Sequence, residues 1–152
     1  MSQPIGVISD THGLLRPEAL AALRGCSPII HAGDVGSPDI LDALAEIAPV
    51  FAVRGNVDIG AWANKLPETK VVEIDDHRLY VRHILDELDL DPAAAGFAAV
   101  IVGHSHQPKI ETKNGVLYFN PGSAGPRRFT LPISVGRLTV ARGELRGEIV
   151  NL

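Results

Sequence analysis

Short apolar runs that alternate with helix signals dominate the first half of this 152-residue sequence. Ile5 to Ser9 predicts a strand, Arg16 to Leu23 a helix, and Pro28 to His31 a second strand. A second helix is predicted to start at Ser37-Pro38-Asp39, which suits a helix N-terminus, and to end near Ile47. Val50 to Val53 predicts a third strand. This order of elements requires a parallel sheet with right-handed crossovers.

The second half of the sequence predicts antiparallel pairing, because short strands are separated by turn-forming residues. A short helical segment is predicted to begin near Pro92. Residues 1–152 are therefore predicted to form a single α/β domain with two packed sheets flanked by helices. The strands expected in this half are Lys70–Ile74, Leu79–Arg82, Val100–Val102, Lys109–Thr112, Val116–Phe119, Ile133–Ala141 and Leu145–Val150.

Composition excludes several classes of protein. The formal charge of −4 gives no basic surface for nucleic acid, so no specific nucleic-acid-binding module is expected. No apolar run approaches the roughly 20 residues that span a bilayer, and the first ten residues do not resemble a signal peptide. The protein is expected to be cytoplasmic, with no membrane partner. The single cysteine, Cys26, excludes an intrachain disulfide and a cysteine-based zinc site.

Polar side chains follow five of the predicted strands at the point where each strand ends. In open α/β sheets, ligands bind outside the carboxyl ends of the strands, so these side chains are expected to meet. Imidazole nitrogens mixed with carboxylate and amide oxygens suit Mn, Fe, Zn, Co or Ni better than Mg or Ca. The expected ligands are Asp10, His12, Asp34, Asn56, His83, His104 and His106. Each motif alone is also typical of an ordinary turn or cap, and only their joint occurrence indicates a metal site.

The same residues resemble the motifs of the calcineurin-like metallophosphoesterases. The resemblance spans residues 7–127 and implies an αββα sandwich of two mixed β-sheets flanked by helices. Its small bacterial and archaeal phosphodiesterase branch is indicated by Asn120-Pro121-Gly122-Ser123 with Pro126-Arg127 just after it. The other motifs are Asp10-Thr11-His12, Gly33-Asp34, Gly55-Asn56-Val57-Asp58, His83 and Gly103-His104-Ser105-His106.

The resemblance implies a role for each motif. One ion would be held by Asp10, His12, Asp34 and His106. The other would be held by Asp34, Asn56, His83 and His104. Asp34 would bridge two divalent ions, with Mn expected and Ni, Co, Fe or Zn as alternatives, and a hydroxide between them would attack phosphorus in line. The implied substrate is a small-molecule or nucleotide phosphodiester. Residues expected to act in catalysis are Asp34, Asn56, Asp58 and His83, and those expected to line the substrate are Asn120, Ser123 and Arg127.

Two positions depart from the family pattern. Val57 stands where larger relatives carry a proton-donating histidine, a difference that is also common in the small branch. Ile84 follows His83 where the family usually has glycine, and its bulk changes the expected substrate face. The alternative function is a non-catalytic metal-binding scaffold of the same fold, and assembly into a homo-oligomer is compatible with either function.

Overall fold

Ten strands form two five-stranded sheets in the computed structural model, which describes residues 3–152. The first half of the chain contains β1 (Ile5–Ile8), α1 (Pro17–Leu23), β2 (Ile29–His31), α2 (Pro38–Ala45) and β3 (Val50–Ala52). The second half contains β4 (Thr69–Ile74), β5 (His77–Arg82), β6 (Ala99–Ile101), β7 (Lys109–Lys113), β8 (Val116–Asn120), β9 (Ser134–Ala141) and β10 (Glu144–Asn151). Two 3₁₀ turns, Ala63–Lys65 and Leu85–Glu87, lie in the connections.

Both sheets are mixed, as the family resemblance implied. The antiparallel pairing predicted for the second half of the chain holds for β4–β5, β7–β8 and β9–β10, but it is wrong for β5, β6 and β8, which pair in parallel. The first sheet has the order β10-β9-β1-β2-β3. Strands β1, β2 and β3 run parallel, and β9 of the β9–β10 hairpin pairs antiparallel to β1. In the second, ordered β4-β5-β6-β8-β7, the parallel strands β5, β6 and β8 lie between two antiparallel edge strands. The parallel strands of both sheets direct their carboxyl ends, and the loops that follow, to the sites described below.

The two helices cover the outer face of the first sheet. Leu23 of α1 and Leu44 of α2 are fully buried there against Ile8 and Ile29. Ser37 caps α2, since its side chain accepts a hydrogen bond from the Asp39 N–H at 3.3 Å. Among residues 3–152, no helix is long and apolar enough to cross a membrane.

The outer face of the second sheet is covered by an irregular segment. Phe97, with Leu88 and Leu90, packs there against Tyr80 and Val100. The helical segment predicted near Pro92 is a turn over residues 92–96. The Asp91 carboxylate accepts hydrogen bonds from two N–H groups at the start of the turn, and Gly96 with φ +83° ends it.

Phe119 of β8 joins the two sheets at the centre of the molecule. Its ring is fully buried in the cluster between the sheets, together with Leu138 of β9. Two glycines of the first sheet, Gly136 and Gly147, make room for this ring, because a Cβ atom at Gly147 would lie 2.7 Å from Phe119 Cδ1 and one at Gly136 would clash with Cζ. The absence of these two side chains sets the spacing of the layers at this point.

Gly136→Ala is therefore expected to destabilise the protein by about 1–3 kcal/mol, the usual cost of forcing extra volume into a packed core. Urea unfolding at a fixed metal concentration measures the effect. Thr139→Ala, at an exposed position of the same strand, is the control and should cost less than about 1 kcal/mol. Equal stability of Gly136→Ala and the native chain would show that the Phe119 ring can move away freely.

Candidate metal centre

The loops that follow five strands bring all seven predicted ligands to one edge of the sandwich. The first sheet supplies those after β1, β2 and β3, and the second sheet supplies those after β5 and β6. Six of the side chains form two groups, in each of which the potential ligand atoms lie within 4.8 Å of one another. The first group is Asp10, His12 and His106, and the second is Asp34, His83 and His104. The seventh, Asn56, joins the second group, because its Oδ1 lies 3.1 Å from His104 Nδ1.

The two carboxylates are held by backbone and hydroxyl donors on one side and left open on the other. Asp10 is fully buried, and its Oδ2 accepts hydrogen bonds from Ser9 Oγ at 2.8 Å and from the His104 N–H at 3.1 Å. Asp34 Oδ1 accepts one from the Val57 N–H at 3.0 Å. The remaining oxygens, Asp10 Oδ1 and Asp34 Oδ2, point toward the imidazoles.

Asp34 belongs to the second group and also borders the first. Its Oδ2 is 3.6 Å from His12 Nε2 in the first group and 3.1 Å from His83 Nε2 in the second. Asp10 Oδ1 is 3.8 Å from His12 Nε2 and 3.5 Å from His106 Nε2 in the first group. It lies 3.8 Å from His83 Nε2, so Asp34 makes the closer approach to the second group. A carboxylate that borders two groups of nitrogen ligands in this way is suited to contact two cations at once.

Several buried atoms of this centre have no hydrogen-bond partner within residues 3–152. They are Asp10 Oδ1, His12 Nε2, His83 Nε2 and His106 Nδ1. Buried polar atoms of folded proteins are normally paired, and an unpaired one costs about 1–3 kcal/mol. His83 Nδ1 donates to the Ala32 carbonyl at 2.7 Å, which leaves Nε2 as the nitrogen that faces the centre. Of these atoms, His12 Nε2 and His83 Nε2 each lie 3.8 Å from Asp10 Oδ1, and nitrogen and carboxylate atoms left open this close together fit a divalent transition metal.

Charges inside the centre shift the pKa values of the ligands. Burial lowers the pKa of His83, but the adjacent Asp34 and Asp10 carboxylates outweigh burial and raise it. Burial raises the pKa of Asp34, but His83 and the Val57 N–H outweigh burial and lower it. The Asp10 carboxylate likewise raises the pKa of His12. Positive charge is thus favoured here, either as protons on imidazole or as metal ions that would displace those protons.

Five of the ligands adopt a left-handed backbone conformation. Asp10, His12, Asp34, His104 and His106 have φ values between +48° and +73°. This conformation costs roughly 1–2 kcal/mol for a residue other than glycine, and it concentrates at functional sites. It turns two side chains of the same loop, such as His104 and His106, toward one centre.

Asp58 fixes the loops that carry Asp34 and Asn56. Its carboxylate accepts hydrogen bonds from the N–H groups of Val35 at 3.2 Å, Gly36 at 2.9 Å and Gly55 at 2.9 Å. A Cβ atom at Gly55 would clash with the Asp34 carboxylate, so only glycine fits there. Asp58 therefore positions the candidate ligands Asp34 and Asn56 through the backbone.

Asn120 and Ser123, predicted on the substrate side, are buried and hydrogen-bonded to the ligand loops. Asn120 Nδ2 donates to the Gly103 carbonyl at 3.0 Å and to Ser105 Oγ at 3.1 Å. Ser123 Oγ donates to the Asp10 carbonyl at 3.1 Å. These contacts support the two loops, and Asn120 also lines a cavity of about 290 Å³ beside His104.

Arg127 and Arg128 differ in their relation to the centre. Arg127 is exposed and donates to the Leu131 carbonyl at 3.1 Å. The charge of the next residue, Arg128, opposes protonation at the centre: Asp10 raises the pKa of His12 in spite of Arg128, and burial lowers the pKa of His106 with a smaller contribution from Arg128. Because the two arginines are adjacent, the sequence alone did not indicate that Arg128, and not Arg127, would influence the histidines.

His31 supports the centre from beneath. It is fully buried, accepts a hydrogen bond from the Gly33 N–H at Nδ1 (3.1 Å), and contacts Thr11 Oγ through Nε2 (3.0 Å). Thr11 Oγ donates its own proton to the Val35 carbonyl at 2.8 Å, so Nε2 must be the protonated nitrogen. This neutral imidazole joins the loop that carries Asp10 to the loop that carries Asp34.

Burial lowers the pKa of His31 from 6.5 to about 4, which predicts an acid-sensitive fold. The unfolded chain binds the additional proton between about pH 6.5 and pH 4, so this stability is present above pH 6.5 and is lost as the pH falls. Between pH 7 and pH 5 the native chain should lose about 2 kcal/mol more stability than His31→Gln. Urea unfolding of both proteins in chelator measures the difference, and parallel pH profiles would contradict it.

The two-sheet fold and the candidate metal centre agree with the family to which the sequence is similar. The family model of the calcineurin-like phosphoesterase superfamily domain matches residues 4–143, and the chain belongs to this superfamily. The resemblance predicted from the sequence motifs and the two-sheet fold are both confirmed.

Individual relatives agree with this assignment. A probable metallophosphoesterase of Methanothermobacter thermautotrophicus is 38% identical, over 97% of this chain and 91% of that protein. A solved archaeal phosphodiesterase is 25% identical with a TM-score of 0.81, over 97% of this chain and 99% of that one. Vacuolar Protein Sorting 29 of Cryptosporidium parvum is 19% identical with a TM-score of 0.76, over 99% and 97% of the two chains, and shows the shared fold alone.

Proposed function

We propose that this protein is a phosphodiesterase that uses two divalent metal ions. The observation that carries the proposal is the position of Asp34, which borders both groups of ligands within 3.6 Å of a histidine in each. The similarity to a solved archaeal phosphodiesterase supports the choice of diesters over monoesters.

The two ligand groups divide the work of holding the ions. Asp10, His12 and His106 would hold one ion, and His83, His104 and Asn56 the other, with Asp34 contacting both. When bound, paired ions lower the pKa of water and neutralise charge on a phosphoryl group. Mn is the expected metal, with Ni, Co, Fe or Zn as alternatives, because imidazole and carboxylate occur together.

The protein supplies positioning and additional charge. Asp58, Asn120 and Ser123 hold the ligand loops through hydrogen bonds to backbone atoms. Arg128 would add positive charge near the first group, since it opposes protonation of His12 and His106, and this charge would favour a phosphate anion. The substrate is a small-molecule or nucleotide phosphodiester. Hydrolysis of bis(p-nitrophenyl) phosphate by Mn-reloaded protein, compared with metal-stripped protein, tests the proposal directly.

The alternative, a non-catalytic scaffold, draws on the likeness in fold to Vacuolar Protein Sorting 29. A non-catalytic metal-binding scaffold would carry the same ligand groups, so hydrolysis and not metal content separates the two functions. Absence of hydrolysis with every metal, in protein shown to bind two ions, would favour this alternative.

Metal stoichiometry separates the ligand roles. Native protein reloaded with Mn should contain close to two ions per chain. Asp34→Asn should weaken both ions and abolish hydrolysis, because the charge near both groups is lost, whereas Asn56→Ala should mainly weaken one. Elemental analysis after equilibrium dialysis, together with activity, measures these outcomes.

His77→Ala is the matched control, because this imidazole contacts the Gly143 carbonyl and lies outside both groups. It should bind metal as the native chain does. Saturation of the native protein at one ion, or an Asp34→Asn variant with most of its activity, would remove the dinuclear assignment.

Because valine at position 57 cannot donate a proton, the rate of hydrolysis is expected to depend strongly on the pKa of the leaving group. The Val57 side chain is 44% exposed, and its N–H is engaged by Asp34. A positioned general acid contributes roughly 10²–10⁴-fold, most for poor leaving groups. Activated aryl diesters should therefore be cleaved far faster than alkyl diesters, with rates that fall steeply as the leaving-group pKa rises.

A series of aryl and alkyl diesters, with chemistry shown to be rate-limiting, measures this slope. Val57→His should help poor leaving groups selectively, and Val57→Leu controls for changes in the loop. A flat dependence on leaving-group pKa would show that another group supplies the proton.

A further inference from the structure

Two cavities flank the second ligand group, and their linings differ in character. One, of about 290 Å³, includes His104, Ser105 and Tyr118 in its lining. The other, of about 300 Å³, lies on the side of Asn56 and His83. Ile84 lines both cavities and separates them. A diester bound at the ligand group would place one substituent toward each cavity.

The first cavity, here termed the Tyr118 groove, runs from His104 along the outer face of the second sheet. Its apolar surfaces come from Tyr118 on the sheet and from Ile84 and Leu85 on the covering segment. Leu85 is 38% exposed although it is a large apolar side chain. Charged side chains of β7 also line the groove, where Glu111 pairs with Lys109 at 3.1 Å and with Lys113 at 3.8 Å.

The Tyr118 ring offers a face for stacking. The ring is half-buried, its partner across the strand pair is Glu111, and the Lys113 Nζ lies 5.5 Å from the ring centroid. A lysine is flexible and can be displaced, so an aromatic group could stack on this face at little cost. The second cavity is instead lined by Arg54, Arg82, Glu68 and Glu87, which favour polar groups.

We propose that the Tyr118 groove binds the planar aromatic substituent of the substrate, such as the base of a nucleotide, while the phosphate lies at the metal centre. The inference rests on the proposed function, which it narrows from phosphodiesters in general to those with an aromatic substituent. Tyr118 and Leu85 are then specificity-determining residues that do not contact the reacting atoms.

Binding of product-like monophosphates tests the groove. Calorimetry on Mn-loaded protein compares AMP, ribose 5-phosphate and hexyl phosphate. AMP should bind at least about 10-fold more tightly than the other two, because a base stacked on an aromatic ring is worth roughly 1–3 kcal/mol. Tyr118→Ala should lower AMP affinity on the order of 10-fold and leave ribose 5-phosphate affinity unchanged.

Tyr118→Phe keeps the ring and should keep AMP affinity, which separates stacking from loss of fold. Val71→Ala, at an exposed apolar position on β4 outside the groove, is the second control and should bind AMP as the native chain does. No measurable AMP binding, equal affinity for AMP and either comparison ligand, or unchanged AMP affinity in Tyr118→Ala would overturn the proposal.

Hydrolysis of bis(p-nitrophenyl) phosphate by the same preparations reports separately on the proposed function. If the protein hydrolyses the diester but binds AMP without preference, the proposed phosphodiesterase function stands and the proposed role of the groove is wrong. If the protein cleaves no diester but prefers AMP in a manner that depends on Tyr118, the groove is a nucleotide-binding site and the proposed phosphodiesterase function is wrong.

Discussion

The burial of two acidic side chains side by side governs the architecture of this protein. Asp10 is fully buried and Asp34 is only 3% exposed, yet both border the same centre. Two carboxylates removed from water at one place are stable only with compensating positive charge or hydrogen-bond donors. The donors are backbone N–H groups of neighbouring loops, and the charge must come from imidazolium or metal. The strand ends, the glycines and the buried hydrogen bonds of Asp58 all serve this requirement.

The meeting of the candidate ligands could be predicted from the sequence because a parallel strand ends in a loop at a known edge of its sheet. Asp10, Asp34 and Asn56 each follow an apolar run that predicts such a strand. The same holds for His83 and His104. That the two sheets meet at this edge came from the family resemblance, since periodicity alone gives no contact between sheets. The strands were recognisable for the same reason, and the boundaries of most differ from expectation by one or two residues.

Other features depend on contacts between distant parts of the chain and left no local signal. The left-handed backbone at His106 has no sequence signature of the kind that glycine supplies. The orientation of Asn120 toward Gly103 and Ser105 results from pairing of β8 with its neighbours, so the motif alone did not reveal these supporting contacts, and a substrate role stays a prediction. The turn at residues 92–96 was predicted as helix because alanines favour helices, but Asp91 and Gly96 confine the segment to a single turn.

The ligands are shared between the two layers of the sandwich: those after β1, β2 and β3 belong to one sheet, and those after β5 and β6 to the other. Under the proposed function, each ion would tie the layers together as a crosslink that the cell can add or withdraw. Ligands that bind only the folded state stabilise it by mass action. Metal scarcity would then shorten the lifetime of the folded chain by exposing it to proteases, and the abundance of the protein would follow metal supply.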